Sequence, residues 1–213
     1  MKKLFFALAI MLATFATAQS KYEKAMKSNI AKIEEHLDLE QFTSLANDFT
    51  RIGDAEKNQW LPYYYAAFSK IQKGRIMMRE GKTQELDEIA DDAQKSLDQA
   101  KSIESENAEI FILQKMIHGL KMMVNPMARY MTEGGAAAEA LAKAEKLDPE
   151  NPRITLLKAE DLYFTPEQFG GSKDKGLEMF GKAKEQFSSY KIKSEIHPNW
   201  GAAEAEYFLT AKP

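Results

Sequence analysis

Between Thr83 and Glu104 the apolar residues Leu86, Ile89, Ala90, Ala93, Leu97, Ala100 and Ile103 recur every three or four positions. The residues between them are mostly Lys, Asp, Glu, Gln and Ser. A period near 3.6 residues lays such a stripe along one face of an amphipathic helix. The same periodicity continues beyond the first eighteen residues to the end of the chain, and strict two-residue alternation is scarce. It predicts helices over 21–35, 39–53, 56–80, 83–104, 107–124, 134–147, 152–164, 173–190 and 199–211. Gly53, Gly81, Gly134-Gly135 and Gly170-Gly171 fall between stripes, where a helix ends or begins. Pro126, Pro149, Pro152, Pro166 and Pro198 sit between helices or just inside their starts. Pro62 marks the start of its helix, with Trp60-Leu61 just before it. The expected fold class is all-α.

The stripes repeat one another. Ala93-x3-Leu97-x2-Ala100, Ala137-x3-Leu141-x2-Ala144 and Gly176-x3-Phe180-x2-Ala183 share one small-large-small spacing. They recur at intervals of roughly 40 residues, the scale of stacked helical hairpins. A small residue at such a position lets one helix seat closely on the next. A second pair of segments agrees: Asp98 to Asn107 parallels Ala142 to Asn151, each a helix end, a polar turn, an Asn and a new apolar stripe. Ala159-Glu160-x2-Tyr163-Phe164 returns as Ala203-Glu204-x2-Tyr207-Phe208.

On these residues the chain resembles the tetratricopeptide repeat (TPR) proteins, whose two helices read W-x2-L-G-x2-Y and A-x3-F-x2-A-x4-P. Trp200-x2-Ala203-Glu204-x2-Tyr207 fits the first half, with Glu204 in place of Gly, and Leu156-x2-Ala159-Glu160-x2-Tyr163 fits it less closely. Trp60-x2-Tyr63-Tyr64 has the start and an aromatic continuation, and only Pro149 occupies the Pro position. The resemblance covers about 56–211 and leaves 21–53 as an off-pattern capping pair. With Trp60 to Tyr64 and Thr165 to Gly171 it is similar to exported bacterial TPR proteins of unassigned activity. It implies a single solenoid domain over 19–213, of about four helix pairs plus a terminal helix. The first helix of each pair would line a concave face that binds a partner segment.

The first eighteen residues stand apart. Lys2 and Lys3 precede an apolar run from Leu4 to Phe15, and Ala16-Thr17-Ala18 forms a small-x-small cleavage site. These three parts make a secretory signal peptide. The run is too short to span a membrane, which takes about 20 apolar residues. The expected product starts at Gln19 and is periplasmic. The formal net charge is −3, and removal of Lys2 and Lys3 makes it more negative. An acidic surface of mixed charges argues against nucleic acid and anionic membranes as partners. The chain has no Cys, which removes thiol catalysis, thiolate metal sites and disulfide stabilisation.

Candidate chemistry is sparse. His36, His118 and His197 are scattered, without the close spacing of a zinc site, and Glu34-Glu35-His36 reads as a solvated helix end. No Ser sits in a Gly-x-Ser-x-Gly turn. Gly170-Gly171-Ser172-Lys173 has the wrong order for a phosphate-binding loop, and reads as a loop closing on Ser172 as an N-cap with Asp174 in the first turn. No catalytic, cofactor or metal residues are assigned. Seven of the methionines, Met77, Met78, Met116, Met122, Met123, Met127 and Met131, lie in one stretch of the chain. They suit either gap-filling or an adaptable binding surface. The 107–124 helix is apolar on more than one face, with Phe111, Ile112, Met116, Met122 and Met123 off its main stripe. Trp60, Tyr64, Ala67 and Ile71 form a core stripe, with Tyr63 beside it and Tyr65 directed away.

Tyr63, Tyr65, Phe111, Met116 and Met122 are therefore the expected partner-binding residues. The function expected is a non-enzymatic protein-interaction module of the bacterial envelope. The alternative is a carrier or transport-accessory protein enclosing a small apolar ligand. Intact-mass analysis of protein from the native host is expected to find a product beginning at Gln19. A full-length cytoplasmic product would overturn the export reading.

Overall fold

The computed structural model describes residues 21–33, 35 and 37–211. The leader 1–18, Gln19, Glu34 and His36 lie outside the described residues. Those described form helices and connecting turns, without a strand among them. In chain order the helices are α1 (21–33), α2 (Leu39–Glu56), α3 (Trp60–Arg79), α4 (Leu86–Ile103), α5 (Ala108–Val124) and the short α6 (Pro126–Arg129). Then come α7 (Gly135–Leu147), α8 (Pro152–Phe164), α9 (Lys173–Ser189) and α10 (Ala202–Thr210). None of them is long and apolar enough to cross a membrane.

The helix starts have local causes. Asp38 caps α2, its side chain accepting from Gln41 N while Gln41 returns a bond to Asp38 N. Asn107 and Asn151 cap α5 and α8, and Ser172 caps α9 with Asp174 in the first turn. Each cap satisfies a backbone N–H that has no partner within the helix. The Gly-Gly-Ser-Lys segment is thus a helix start, as its order implied.

One sequence boundary falls elsewhere. Gly53 does not end α2, which runs on to Glu56. A Cβ at Gly53 would lie 2.8 Å from the Tyr63 ring, so the residue is glycine to let α3 approach. Gly134-Gly135 does mark the start of α7, as expected. A π-helical turn, Tyr130–Gly134, connects α6 directly to α7. Pro62 lies in the first turn of α3, where its missing N–H costs nothing.

Successive helices pack on one another: α2 on α3, α3 on α4, α4 on α5, α5 on α7, α8 on α9 and α9 on α10. The small-large-small blocks lie at these seats. Ala93, Leu97 and Ala100 are fully buried, as are Ala144, Phe180 and Ala183. A Cβ at Gly176 would meet Tyr163 at 2.8 Å, so α9 seats on α8 only because that residue is glycine.

The stack also closes on itself. α3 packs against α5 as well as against its chain neighbours. Arg75 on α3 reaches Glu160 on α8 at 2.9 Å and Glu204 on α10 at 3.2 Å. Phe68 stacks on Trp200 with ring centroids 4.6 Å apart. Every residue of α3 from Leu61 to Ser69 is buried. A helix surrounded on all sides has to be apolar on all sides. This corrects the outward placement of Tyr65, which is buried and stacks on Phe49 at 5.1 Å.

The Arg75 junction makes stability depend on pH. Burial pushes the Glu204 carboxyl up to about 7, with Glu160 adding to the rise and Arg75 opposing it. The folded protein therefore holds a proton that the unfolded chain releases at lower pH. The stability linked to this proton is present below the unfolded carboxyl range and is lost as pH rises through about 7. Glu204→Gln is expected to gain stability relative to the parent as pH is raised from about 5 to about 8. Urea denaturation at both pH values checks this; a constant difference would contradict it.

Candidate functional site

Two N-caps in successive hairpins start the site. Asn107 accepts from Glu109 N at 3.0 Å, and Asn151 accepts from Arg153 N at 3.1 Å. Glu109 and Arg153 therefore occupy the same position in their helices, each in the first turn. The stack brings them together out of solvent, with side chains 9% and 2% exposed. Arg153 donates from Nε to both Glu109 carboxylate oxygens, at 3.0 and 3.1 Å. The Asn151 amide donates to the same carboxylate at 2.7 Å, and the Tyr64 hydroxyl donates to it at 2.8 Å. Trp200 Nε1 donates in turn to the Tyr64 oxygen at 2.8 Å. Burial, with Glu109 beside it, pushes the Tyr64 hydroxyl well up, so it stays a protonated donor. Arg153 Nη1 has no hydrogen-bond partner among the described residues.

A cleft of about 390 Å³ opens above this network. Glu109 and Arg153 lie at its base. It is lined by the 104–109 segment, with the acidic Glu104 and Glu106, and by the 190–198 loop between α9 and α10. Trp60, Leu147 and Asp148 also line it. The loop carries Tyr190, Lys191, Ile192, Lys193, His197 and Pro198. Tyr190 is fixed by its hydroxyl, which donates to Asp148 at 2.7 Å, and its ring lies by the Arg153 guanidinium at 5.6 Å. Burial, reinforced by Asp148, pushes the Tyr190 hydroxyl up.

His197 stands edge-on to Trp60, with ring centroids 6.0 Å apart. Its Nδ1 pairs with Ser194 Oγ at 2.8 Å within the turn. Burial lowers its basicity, and the positive charge of Lys193 lowers it further, against the opposing pull of Glu109 and Glu104. The ring is therefore biased towards neutral imidazole. Lys191 and Lys193 make no salt bridge among the described residues. The cleft thus brings together acidic and basic side chains, apolar surfaces and one imidazole.

The residues expected from sequence to line a groove lie elsewhere. Tyr63 and Tyr65 are buried, and the Tyr63 hydroxyl donates to Asp54 on α2. Met116 is buried too. Phe111 is half-buried, with the ammonium groups of Lys101 and Lys143 at 5.7 and 5.9 Å from its ring centroid. Met122 is half-buried, and a Cβ at Gly134 would lie 3.3 Å from its sulfur. These five have different neighbours, and none of them lines the cleft. Among the methionines, Met77 is buried, whereas Met127 and Met131 are more than four-fifths exposed. The sequence signal for the cleft was the Lys191-Ile-Lys-Ser-Glu-Ile-His197-Pro run between two helical stripes, since loops on a rigid scaffold carry binding residues disproportionately.

Arg153→Ala is expected to cost about 3–5 kcal/mol, because it strands the Glu109 carboxylate in a dry interior. Adding Glu109→Leu should recover a large part, since an apolar pair of similar volume replaces a buried ion pair at little net cost. Denaturant unfolding of both variants measures this. A cost below about 1 kcal/mol for Arg153→Ala would show that the pair is solvated, like an exposed salt bridge.

No family model matches the chain, and no curated protein sequence does. Among solved structures it is similar to the HusA haemophore from Porphyromonas gingivalis, at 31% sequence identity and a TM-score of 0.76. That match covers 88% of this chain and 90% of the other.

Proposed function

This chain belongs to the family of the HusA haemophore, and we propose that it is a non-enzymatic carrier of haem or a similarly built tetrapyrrole. The family relationship, extending over nearly the whole of both chains, is the observation that carries this reading. We place the ligand in the cleft between the 104–109 segment and the 190–198 loop. Its volume lies in the range of ligand pockets, about 300–1,000 Å³. A tetrapyrrole presents a flat apolar ring and a carboxylate-bearing edge. Trp60, Leu147, Ile192 and Pro198 offer apolar surface for the ring, and Lys191 and Lys193 offer unpaired cations for the edge.

The reading is closer to the carrier alternative than to a protein-binding groove. Tyr63, Tyr65 and Met116 are too buried to meet a partner. The helix pairs are proposed to stack as a TPR-like solenoid, supported by the successive packing and by the small residues at each seat. Export to the periplasm remains part of the proposal, supported by the leader sequence.

Titration of the chain lacking residues 1–18 with haem is expected to shift the Soret band and saturate near one equivalent. The dissociation constant should be micromolar or tighter, about −8 kcal/mol or better. Unchanged absorption in the presence of excess protein would overturn the carrier reading.

A further inference from the structure

The helix α10 repeats α8 without the cover that α8 has. Ala203-Glu204-x2-Tyr207-Phe208 on α10 returns the spacing of Ala159-Glu160-x2-Tyr163-Phe164 on α8. The fold keeps that register, since Glu160 and Glu204 meet the same Arg75. On α8 the repeated face is occupied by α9. A Cβ at Gly176 of α9 would lie 2.8 Å from Tyr163, and the Phe180 ring stands 5.9 Å from the Tyr163 ring. The Lys173 ammonium lies 5.8 Å from the centroid of the same ring. Ala159 is fully buried there, and Tyr163 is half-buried.

On α10 the matching face is bare. Ala203 is exposed, and Tyr207 is 64% exposed. Among the described residues no helix follows α10 to cover them. Another side of α10 is already held, because Phe208 stacks on Phe180 at 4.5 Å. Phe164 and Tyr207 each stand edge-on to Phe208 at 5.5 Å, and Phe164 is exposed as well. These rings extend the bare face into an aromatic patch. Contiguous exposed apolar surface marks an interaction site.

The patch also has a charge. α10 carries Glu204 and Glu206 and no Lys or Arg. Glu204 is turned to Arg75, whereas Glu206, next to Tyr207 in the chain, pairs with Lys184. That pair is exposed, and so weak enough for Glu206 to attract a second cation. A second copy of this chain makes a poor occupant. Its small-large-small blocks are already covered, with Leu97, Leu141 and Phe180 all buried. Two α10 helices laid face to face would bring acid against acid.

We propose that the Ala203–Tyr207 face of α10 is a docking seat for a helix of a partner protein, one that presents a small residue at the closest approach and a cation beside Tyr207. The partner helix has the α9 pattern, Lys-x2-Gly-x3-Phe-x2-Ala, carried in α9 by Lys173, Gly176, Phe180 and Ala183. Docking continues the α8–α9 stacking by one more helix. The glycine admits the tyrosine backbone, and the lysine lies over the Tyr207 ring as a cation–π partner. No residue of α10 lines the cleft, so docking here is independent of what the cleft carries.

A synthetic peptide with the sequence of residues 173–190 is the probe. A lactam between Glu178 and Lys182, both exposed in α9, holds it helical, since an isolated helix of this length is marginal. The protein is the chain lacking residues 1–18, labelled with nitrogen-15. The peptide should move the amide signals of Ala203 and Tyr207 and leave those of Ala159 and Tyr163 in place. Gly176→Leu in the peptide should weaken binding by about tenfold or more, because the seat has no room for the added side chain. Lys173→Glu in the peptide should weaken it too, and added salt should weaken the parent peptide. In the protein, Ala203→Gln and Tyr207→Ser should each reduce binding while leaving circular dichroism and denaturation nearly unchanged, because both positions are exposed. The protein alone should sediment as a monomer.

Absence of any shift at about 1 mM peptide would overturn the seat. Shifts at Ala159 and Tyr163 instead would show exchange with α9, and overturn it as well. Equal binding of the Gly176→Leu peptide, or binding indifferent to Ala203→Gln and Tyr207→Ser, would show an unspecific apolar contact. A dimer of the parent that Ala203→Gln dissociates would assign the face to a second copy and overturn the partner helix.

Discussion

The buried pairing of Arg153 with Glu109 is the constraint around which the rest of the molecule is arranged. A guanidinium and a carboxylate out of water are tolerable only when nearly every polar atom is bonded. That requirement recruits Asn151 from the cap of α8, Tyr64 from α3, and Trp200 from the segment before α10. Three stretches far apart in sequence, at Tyr64, Glu109 and Asn151 to Arg153, must be in place for a single carboxylate to be satisfied, and Trp200 joins them through Tyr64. Apolar packing alone would permit the helices to slide or rotate on one another. These directional bonds favour one register.

The Arg75 junction repeats the arrangement with another charge balance. One guanidinium faces two carboxylates, Glu160 and Glu204, from equivalent positions in successive hairpins. Where the first site pairs opposite charges between helices, the second places like charges beside a shared cation. Together they draw α3, α5, α8 and α10 inward. The interior of the stack is thus a packed, hydrogen-bonded centre, and a cleft lies beside it, lined by the 104–109 segment and the 190–198 loop.

Much of this was legible in residue spacing. The stripes gave the all-helical class, and the small-large-small blocks marked the seats between helices. The Asn at the end of each polar turn proved to be a cap. The alignment of Asp98–Asn107 with Ala142–Asn151 already held the central pair. Extended by two residues, it sets Glu109 opposite Arg153, complementary charges at one repeat position. Glu204, entered as a departure from the TPR pattern, is half of the junction at Arg75. Legibility failed where tertiary contact decides. Gly53 looks like a helix end and is a packing notch for a tyrosine ring. Tyr65 lies off its helix's core stripe and is buried, because α3 is covered on more than one side. The cleft was hidden for the same reason: Trp60, Arg153 and His197 are distant in sequence, and no local pattern announces their meeting.

Trp200 lies 136 residues beyond Tyr64, and its indole completes the hydrogen-bond network begun there. A solenoid held only by neighbouring contacts can fold progressively as it lengthens, one repeat upon the last. This chain has to wait. During synthesis the α3 interior has no Phe68–Trp200 stack, and the Tyr64 oxygen has no donor from Trp200, until the chain has been made past α9. Long-range closure of this kind slows folding relative to a purely local helical array. It also ties the 190–198 loop to the earliest hairpins, so that a competent cleft signifies that the two ends of the stack have met.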